Sequence, residues 1–106
     1  MLNLTTTSDV IRVITSASSQ IECHASWVDV QSGAGSLGRK NTIITTATTT
    51  TIVPSPGSGV QRNCRQIAIT NDHATAACIV AVEHFDGTTA SELISFTLLP
   101  GENMMF

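Results

Sequence analysis

A chain of 106 residues with a formal charge of -3 is long enough for one packed core and too short for two, and five Lys and Arg in all are too few for the clustered basic face of a nucleic-acid-binding protein. Charged residues make up 12% of the chain, about half of the roughly 25% usual in soluble domains. A shortage of this kind points to a surface covered by other subunits, with a solvated surface rich in Ser and Thr as the alternative.

No segment reaches the ~18 to 20 continuous apolar residues of a membrane span. Met1 to Val10 lacks the basic start and apolar run of a signal peptide, so the protein is expected to be made and used without export. Cys23, Cys64 and Cys78 are odd in number and widely spaced, which favours buried free thiols over a disulfide framework.

In chain order, Met1 to Ser8 is polar, Thr-rich and weakly alternating, and Val10 to Thr15 (VIRVIT) is the first clear strand, with Ile11 and Val13 on one face and Arg12 opposite. Thr15 to Gln20 reads as a turn. Ile21 to Val30 (IECHASWVDV) is a second strand whose apolar residues sit first at odd positions (Ile21, Cys23, Ala25, Trp27) and then at even ones (Val28, Val30). That slip of phase predicts a β-bulge or a sharp bend near Trp27. Gln31 to Asn41 (QSGAGSLGRKN) carries the longest loop signal and is expected to be mobile or docked.

Thr42 to Val53 is rich in β-branched Thr, Ile and Val and reads as a strand pair or one long strand, with Thr48 to Thr51 facing water or a neighbour. Pro54 to Gly59 stops it. Val60 to Glu102 holds three further strand signals: Ile67 and Ile69 alternating with polar residues, the short apolar run Ala77 to Val82, and Ile94, Phe96 and Leu98 alternating with Ser95 and Thr97. With Asn71-Asp72-His73 between the first two and Asp86-Gly87 between the last two, they are predicted to form an antiparallel meander. Leu99-Pro100-Gly101-Glu102 makes a turn before a short final strand, Asn103 to Phe106. The whole, residues 1 to 106, reads as an all-β protein: one small antiparallel β-sandwich of about seven to eight short strands, jelly-roll or immunoglobulin-like. Trp27, Ile69, Val80 and Phe96 are its predicted core anchors.

Few motifs survive inspection. Gly33, Gly35 and Gly38 match G-x-G-x-x-G, but a phosphate-binding loop needs a helix to follow, and RKNTIITTATTTT is among the least helical of compositions. Cys23 and His24 are adjacent on a strand and therefore point to opposite faces, which denies them a shared metal. Asp72, Glu83, Asp86, Glu92 and Glu102 fall at predicted turns and strand ends without the fixed spacing of a calcium site. No nucleophile elbow is present, and one Trp, no Tyr and three Phe make a poor platform for stacking on sugar rings. No cofactor, metal or catalytic residue is assigned. The residues assigned to partner contact are Gly33, Gly35, Leu37, Arg39 and Lys40, because Arg39 and Lys40 lie side by side on a Gly-rich segment and would suit an acidic surface. Self-association is expected as well, since the central strand alternates two apolar faces, Ala77, Ile79, Ala81 and Phe85 against Ala76, Cys78, Val80 and Val82.

Three stretches carry a resemblance. LTTTSDVIRVITSASSQIECHASWVDV has a Thr-rich head, a strand, and a second strand with Ala25, Ser26, Trp27 and Asp29. ATTTTIVPSPGSGVQRNCRQIAITN has a Thr-rich strand, a proline-containing turn, an arginine before a strand and Asn71 at its end. DGTTASELISFTLLPGENMMF has a hairpin turn, a strand and a Leu-x-Pro-Gly-Glu turn. Together they resemble a type of small structural protein from the virions of tailed bacteriophages, over nearly the whole chain. The resemblance implies a non-enzymatic capsid cement or decoration protein that binds the major capsid protein as a homo-oligomer, with a trimer favoured. It would be assembled in the host cytoplasm and reside on the virion, with no nucleic-acid or membrane partner. The alternatives are a small tail, fibre or adaptor component, or a receptor- or glycan-binding module.

Overall fold

A computed structural model describes residues 2–106 and holds nine strands. These are β1 (Leu2–Leu4), β2 (Val10–Thr15), β3 (Ile21–Gln31), β4 (Ala34–Ile44), β5 (Thr49–Val53), β6 (Gln61–Asn71), β7 (Cys78–Phe85), β8 (Ala90–Leu98) and β9 (Asn103–Met105). They form two antiparallel sheets, β1-β6-β3-β4 with β9 also on β6, and β5-β2-β7-β8. The fold is the expected small β-sandwich, with β1 and β4 in place of segments read as a polar head and a loop.

Alternation builds the core. Ile11 and Val13 of β2, Ile21, Cys23, Ala25 and Trp27 of β3, Ile67 and Ile69 of β6, and Val80 and Val82 of β7 turn inward and are buried, since successive side chains on a strand face opposite ways. Trp27, Ile69 and Val80 are in the core as predicted, while Phe96 packs against it only partly buried. All three cysteines are buried free thiols, and burial pushes the Cys23 thiol up to about 12.

Three expectations need correction. The three strands of Val60 to Glu102 are not a meander: β7 and β8 pair as a hairpin, but β6 lies in the opposite sheet between β1 and β3. Only β3–β4 and β7–β8 are hairpins; every other connection crosses between the sheets. Gln31 to Asn41 is not a loop, because Ala34 to Asn41 belongs to β4, paired with β3 residue by residue from Gln31↔Ala34 to Ile21↔Ile44. Ser32 and Gly33, with φ of 52° and 80°, make the two-residue turn whose twist matches the flanking strands. Glu83, placed at a strand end from sequence, is instead buried within β7 and ion-paired with Arg12, whose guanidinium also lies 4.0 Å from the Phe85 ring centroid.

The crossing from β6 to β7 is held by Asn71, which is fully buried. Its Nδ2 donates to the carbonyls of Ala76 (2.8 Å) and Leu98 (3.0 Å), and its Oδ1 accepts from Ser19 Oγ (2.9 Å) and the His73 N–H (3.1 Å). Its backbone accepts from the Gly101 N–H at 2.8 Å and donates to the Glu102 carbonyl at 2.9 Å. Thr15, also buried, does the same for the β4–β5 crossing by donating its hydroxyl to Thr46 O at 2.6 Å.

Asn71→Ala strands several buried partners at once, each unmade bond costing about 1 to 3 kcal/mol. A loss of about 3 kcal/mol is therefore expected, a large part of the roughly 5 to 15 kcal/mol such proteins possess. Thermal unfolding checks it: the melting temperature is expected to fall by about 10 to 20 °C.

Buried Asp9 fixes the β1–β2 turn by accepting from the N–H groups of Thr5 (2.7 Å) and Thr6 (3.0 Å). Burial alone would raise its pKa, but those two bonds and the His84 ring outweigh it and hold the carboxyl below its ordinary 3.8. A depressed pKa means stability that is present above the unfolded value and lost as pH falls through the folded one. Urea midpoints are therefore expected to drop below about pH 4, and Asp9→Asn is expected to flatten that acid limb.

Candidate functional site

The strand that reads as a loop also forms the most exposed apolar surface. On β3 the inner face runs Ile21, Cys23, Ala25, Trp27 and then Asp29, so Val28 and Val30 lie on the outer face without any reversal of β3 itself. The predicted bulge is present, but the extra residue is on β6: Ser26 pairs with Gln66 and Trp27 with Cys64, leaving Arg65 unpaired between them. The change of apolar phase at Trp27 therefore marks where the core ends and the outer face turns apolar. Past that point the β3–β4 hairpin continues to Gly33, in a molecule measuring 48 × 26 × 18 Å.

The open end of the sandwich is closed by four residues that sequence reasoning did not connect. Arg62 Nε and Nη2 donate to the two oxygens of Asp29 at 2.8 and 3.0 Å, and Nη1 donates to the Pro54 carbonyl at 2.7 Å. The same guanidinium lies 4.6 Å from the Trp27 ring centroid. One fork thus ties β6 to β3 and to the chain just after β5, beneath a tryptophan that is 7% exposed. Asp29 at an inward, odd position was the available signal, since a carboxylate there needs a buried cation.

Gly38 is part of this arrangement. A Cβ at that position would collide with the Trp27 indole Nε1 and stand 2.6 Å from Cε2. The G-x-G-x-x-G pattern therefore has local causes: Gly33 turns the hairpin with a φ of 80°, and Gly38 leaves room for Trp27.

The residues assigned to partner contact separate by parity. Gly35, Leu37 and Arg39 stand opposite Val30, Val28 and Ser26 on the outer face; Leu37 is 84% exposed and Val30 38%. Gly33 is at the hairpin tip. Lys40 does not act with Arg39, because strand alternation turns it the other way, toward the sandwich edge, where its Nζ donates to Thr51 O of β5 at 3.4 Å. Arg39 instead shares a shallow depression of about 500 Å³ with Arg65, His24, Ser26, Trp27, Gly38 and Leu37. Arg65 reaches it from the bulge, a common use of an extra residue.

Farther along the same face, Ile43 is 63% exposed and Met105 60%, and His24 Nδ1 meets Asn41 Oδ1 at 2.5 Å. Among the described residues, Arg39, Lys40 and Arg65 form no ion pair. No group of three His, Cys, Asp or Glu suits a metal ion among those residues either. His73 has a local task, its Nδ1 accepting from the N–H groups of Thr75 (3.1 Å) and Ala76 (2.9 Å).

Gly38→Ala is expected to expel Trp27 from its place over Arg62, at a cost of about 1 to 3 kcal/mol for overpacking. The check is a red-shifted tryptophan emission together with a lower urea midpoint, whereas Gly35→Ala, which meets only Val28 Cγ1 at an ordinary 3.8 Å, is expected to change neither. Comparison with known proteins finds no matching family model, no similar curated protein and no similar solved structure, so function has to be read from this surface.

Proposed function

We propose that the protein is a structural subunit, without catalysis, that works by laying the outer face of the β3–β4 hairpin against a neighbouring protein, and that its setting is a virion, where it acts as a capsid cement or decoration protein on the major capsid shell. The observation that carries this reading is the exposed pair Leu37 and Val30 beside Arg39, on a hairpin that runs on past the end of the core. Apolar side chains left largely in water contribute little to the fold, and contiguous patches of them mark contact surfaces.

The low charge of the chain supports the same conclusion, since contact surfaces are depleted of Lys, Glu and Asp. A homo-oligomer, with a trimer favoured, remains part of the proposal: Ile79 on the outer face of the other sheet is 52% exposed and offers a second apolar contact. Burial of Trp27, the one large aromatic platform in the chain, disfavours a sugar-binding module. A small tail or adaptor component would use the same surface.

Particles of the encoding phage are expected to contain the chain in fixed ratio to their major capsid protein, measured by quantitative mass spectrometry, and to rebind the recombinant protein once stripped of it. Val30→Asp with Leu37→Asp is expected to reduce rebinding about tenfold or more, equivalent to about 1.4 kcal/mol, with the melting temperature almost unchanged because both side chains are already exposed. Absence of the chain from the particles, or undiminished rebinding by the double variant, overturns the reading.

A further inference from the structure

The sandwich has four kinds of sheet edge, and only one is left open. β5 is five residues long and slips register against β2 between Ile11 and Arg12. β8 slips against β7 between Val82 and Glu83, where Leu93 is the extra residue. β1 and β9 are three residues each. Shortness and bulges are two of the devices by which sheet edges are kept from pairing with other chains. β4 has neither: it is eleven residues long, contains no proline, and keeps one register with β3 along its whole length.

Its unpaired groups can be assigned. Gln31 and Ala34 flank the two-residue turn and so exchange the first ladder bonds, after which even-numbered residues of β4 bond to β3. The N–H and C=O groups of Gly35, Leu37, Arg39, Asn41 and Ile43 therefore point to the free edge, and all five residues are exposed. The same residues carry the outer-face side chains.

What could pair there is limited by charge. Arg39 stands at the middle of β4, so an antiparallel pairing of β4 with its own copy in the full-length register sets Arg39 against Arg39. Slipping two residues one way sets Lys40 against Lys40, and two the other way leaves the Arg39 side chains diagonal neighbours. Like charges in these positions oppose pairing. The edge is thus guarded against itself while remaining open to a strand of opposite charge.

We infer that the free edge of β4 accepts an extended segment of a partner protein as an added antiparallel strand, and that the segment bears an Asp or Glu where it meets Arg39. Backbone bonds to the five outward residues supply the attachment, and Leu37 and Arg39 select the side chains. This deepens the contact reading above and rests on it. Peptide binding is measured on the isolated protein, so its failure leaves particle rebinding as a separate result.

The probe is a fluorescent peptide of about nine residues, a usual strand length, alternating Val and Thr with Glu at its centre, compared with the same peptide carrying Lys. Anisotropy is expected to show the Glu peptide binding about tenfold more tightly, and amide exchange by NMR is expected to show protection gained at Leu37, Arg39 and Asn41. Arg39→Glu is expected to invert the preference. Leu37→Pro removes an outward N–H that β3 does not use and is expected to abolish binding of both peptides. Arg39→Glu keeps the test decisive should the proline variant unfold. Equal binding of the two peptides, no binding at about 1 mM, or protection at β5 or β8 overturns the inference. So does protection of β4 in the absence of peptide with a doubled mass by light scattering, which would assign the edge to a second copy.

Discussion

Six of the sandwich's connections cross from sheet to sheet, and such crossings have little of their own to hold them; the buried amide of Asn71 holds the group that meets at one end. A carboxamide has two donors and an acceptor oxygen with two lone pairs, and here all are used, on the β2–β3 turn, the β6–β7 crossing and the end of β8. Its main chain then engages the β8–β9 turn. No apolar residue could substitute, because it would leave the Ser19 hydroxyl and the Ala76 and Leu98 carbonyls without these bonds, and an unpaired buried polar group costs more than a made bond returns. With this end fixed, β6 can lie in one sheet and β7 in the other while their flanks stay in register.

The opposite end is closed by a charge-assisted fork rather than by an amide. Arg62 is held by Asp29, Pro54 and the face of Trp27, so the core stops there instead of continuing along β3. The hairpin beyond has no second sheet beneath it. A strand in that position cannot bury an inward apolar face, which is why its inward residues include Asp29 and Ser36 and its apolar ones, Val28, Val30 and Leu37, turn outward. The exposed apolar surface is in this sense a consequence of where the arginine plug sits.

Side-chain alternation made much of this legible from sequence. β2 was readable residue for residue, and the slip at Trp27 located a real bulge, although its extra residue, Arg65, lies on the partner strand where nothing local in β3 can reveal it. β4 was hidden because its glycines and serine imitate a loop; Gly38 is there for the bulk of Trp27 and Gly33 for a left-handed turn, and neither cause is local to the strand. The same alternation that denied Cys23 and His24 a common metal also separates Arg39 from Lys40, once the segment is known to be a strand. Asn71 does close the turn that the sequence suggests, through His73 and Ala76, but its bonds to Ser19 and Leu98 were hidden because those partners are distant in sequence.

Of the five cations, Arg12 and Arg62 are consumed by Glu83 and Asp29, which leaves Arg39, Lys40 and Arg65, all on or beside the outer sheet formed by β6, β3 and β4. A surface this poor in charge gains little binding energy from long-range attraction, and exposed ion pairs contribute only about 0 to 1 kcal/mol each. On the proposed pairing, attachment would come from backbone bonds and from Leu37 and Val30, while the few cations would act by exclusion, rejecting a like-charged strand more strongly than they would reward an acidic one. That division of labour would let an open eleven-residue edge persist in a protein whose other edges are bulged or short.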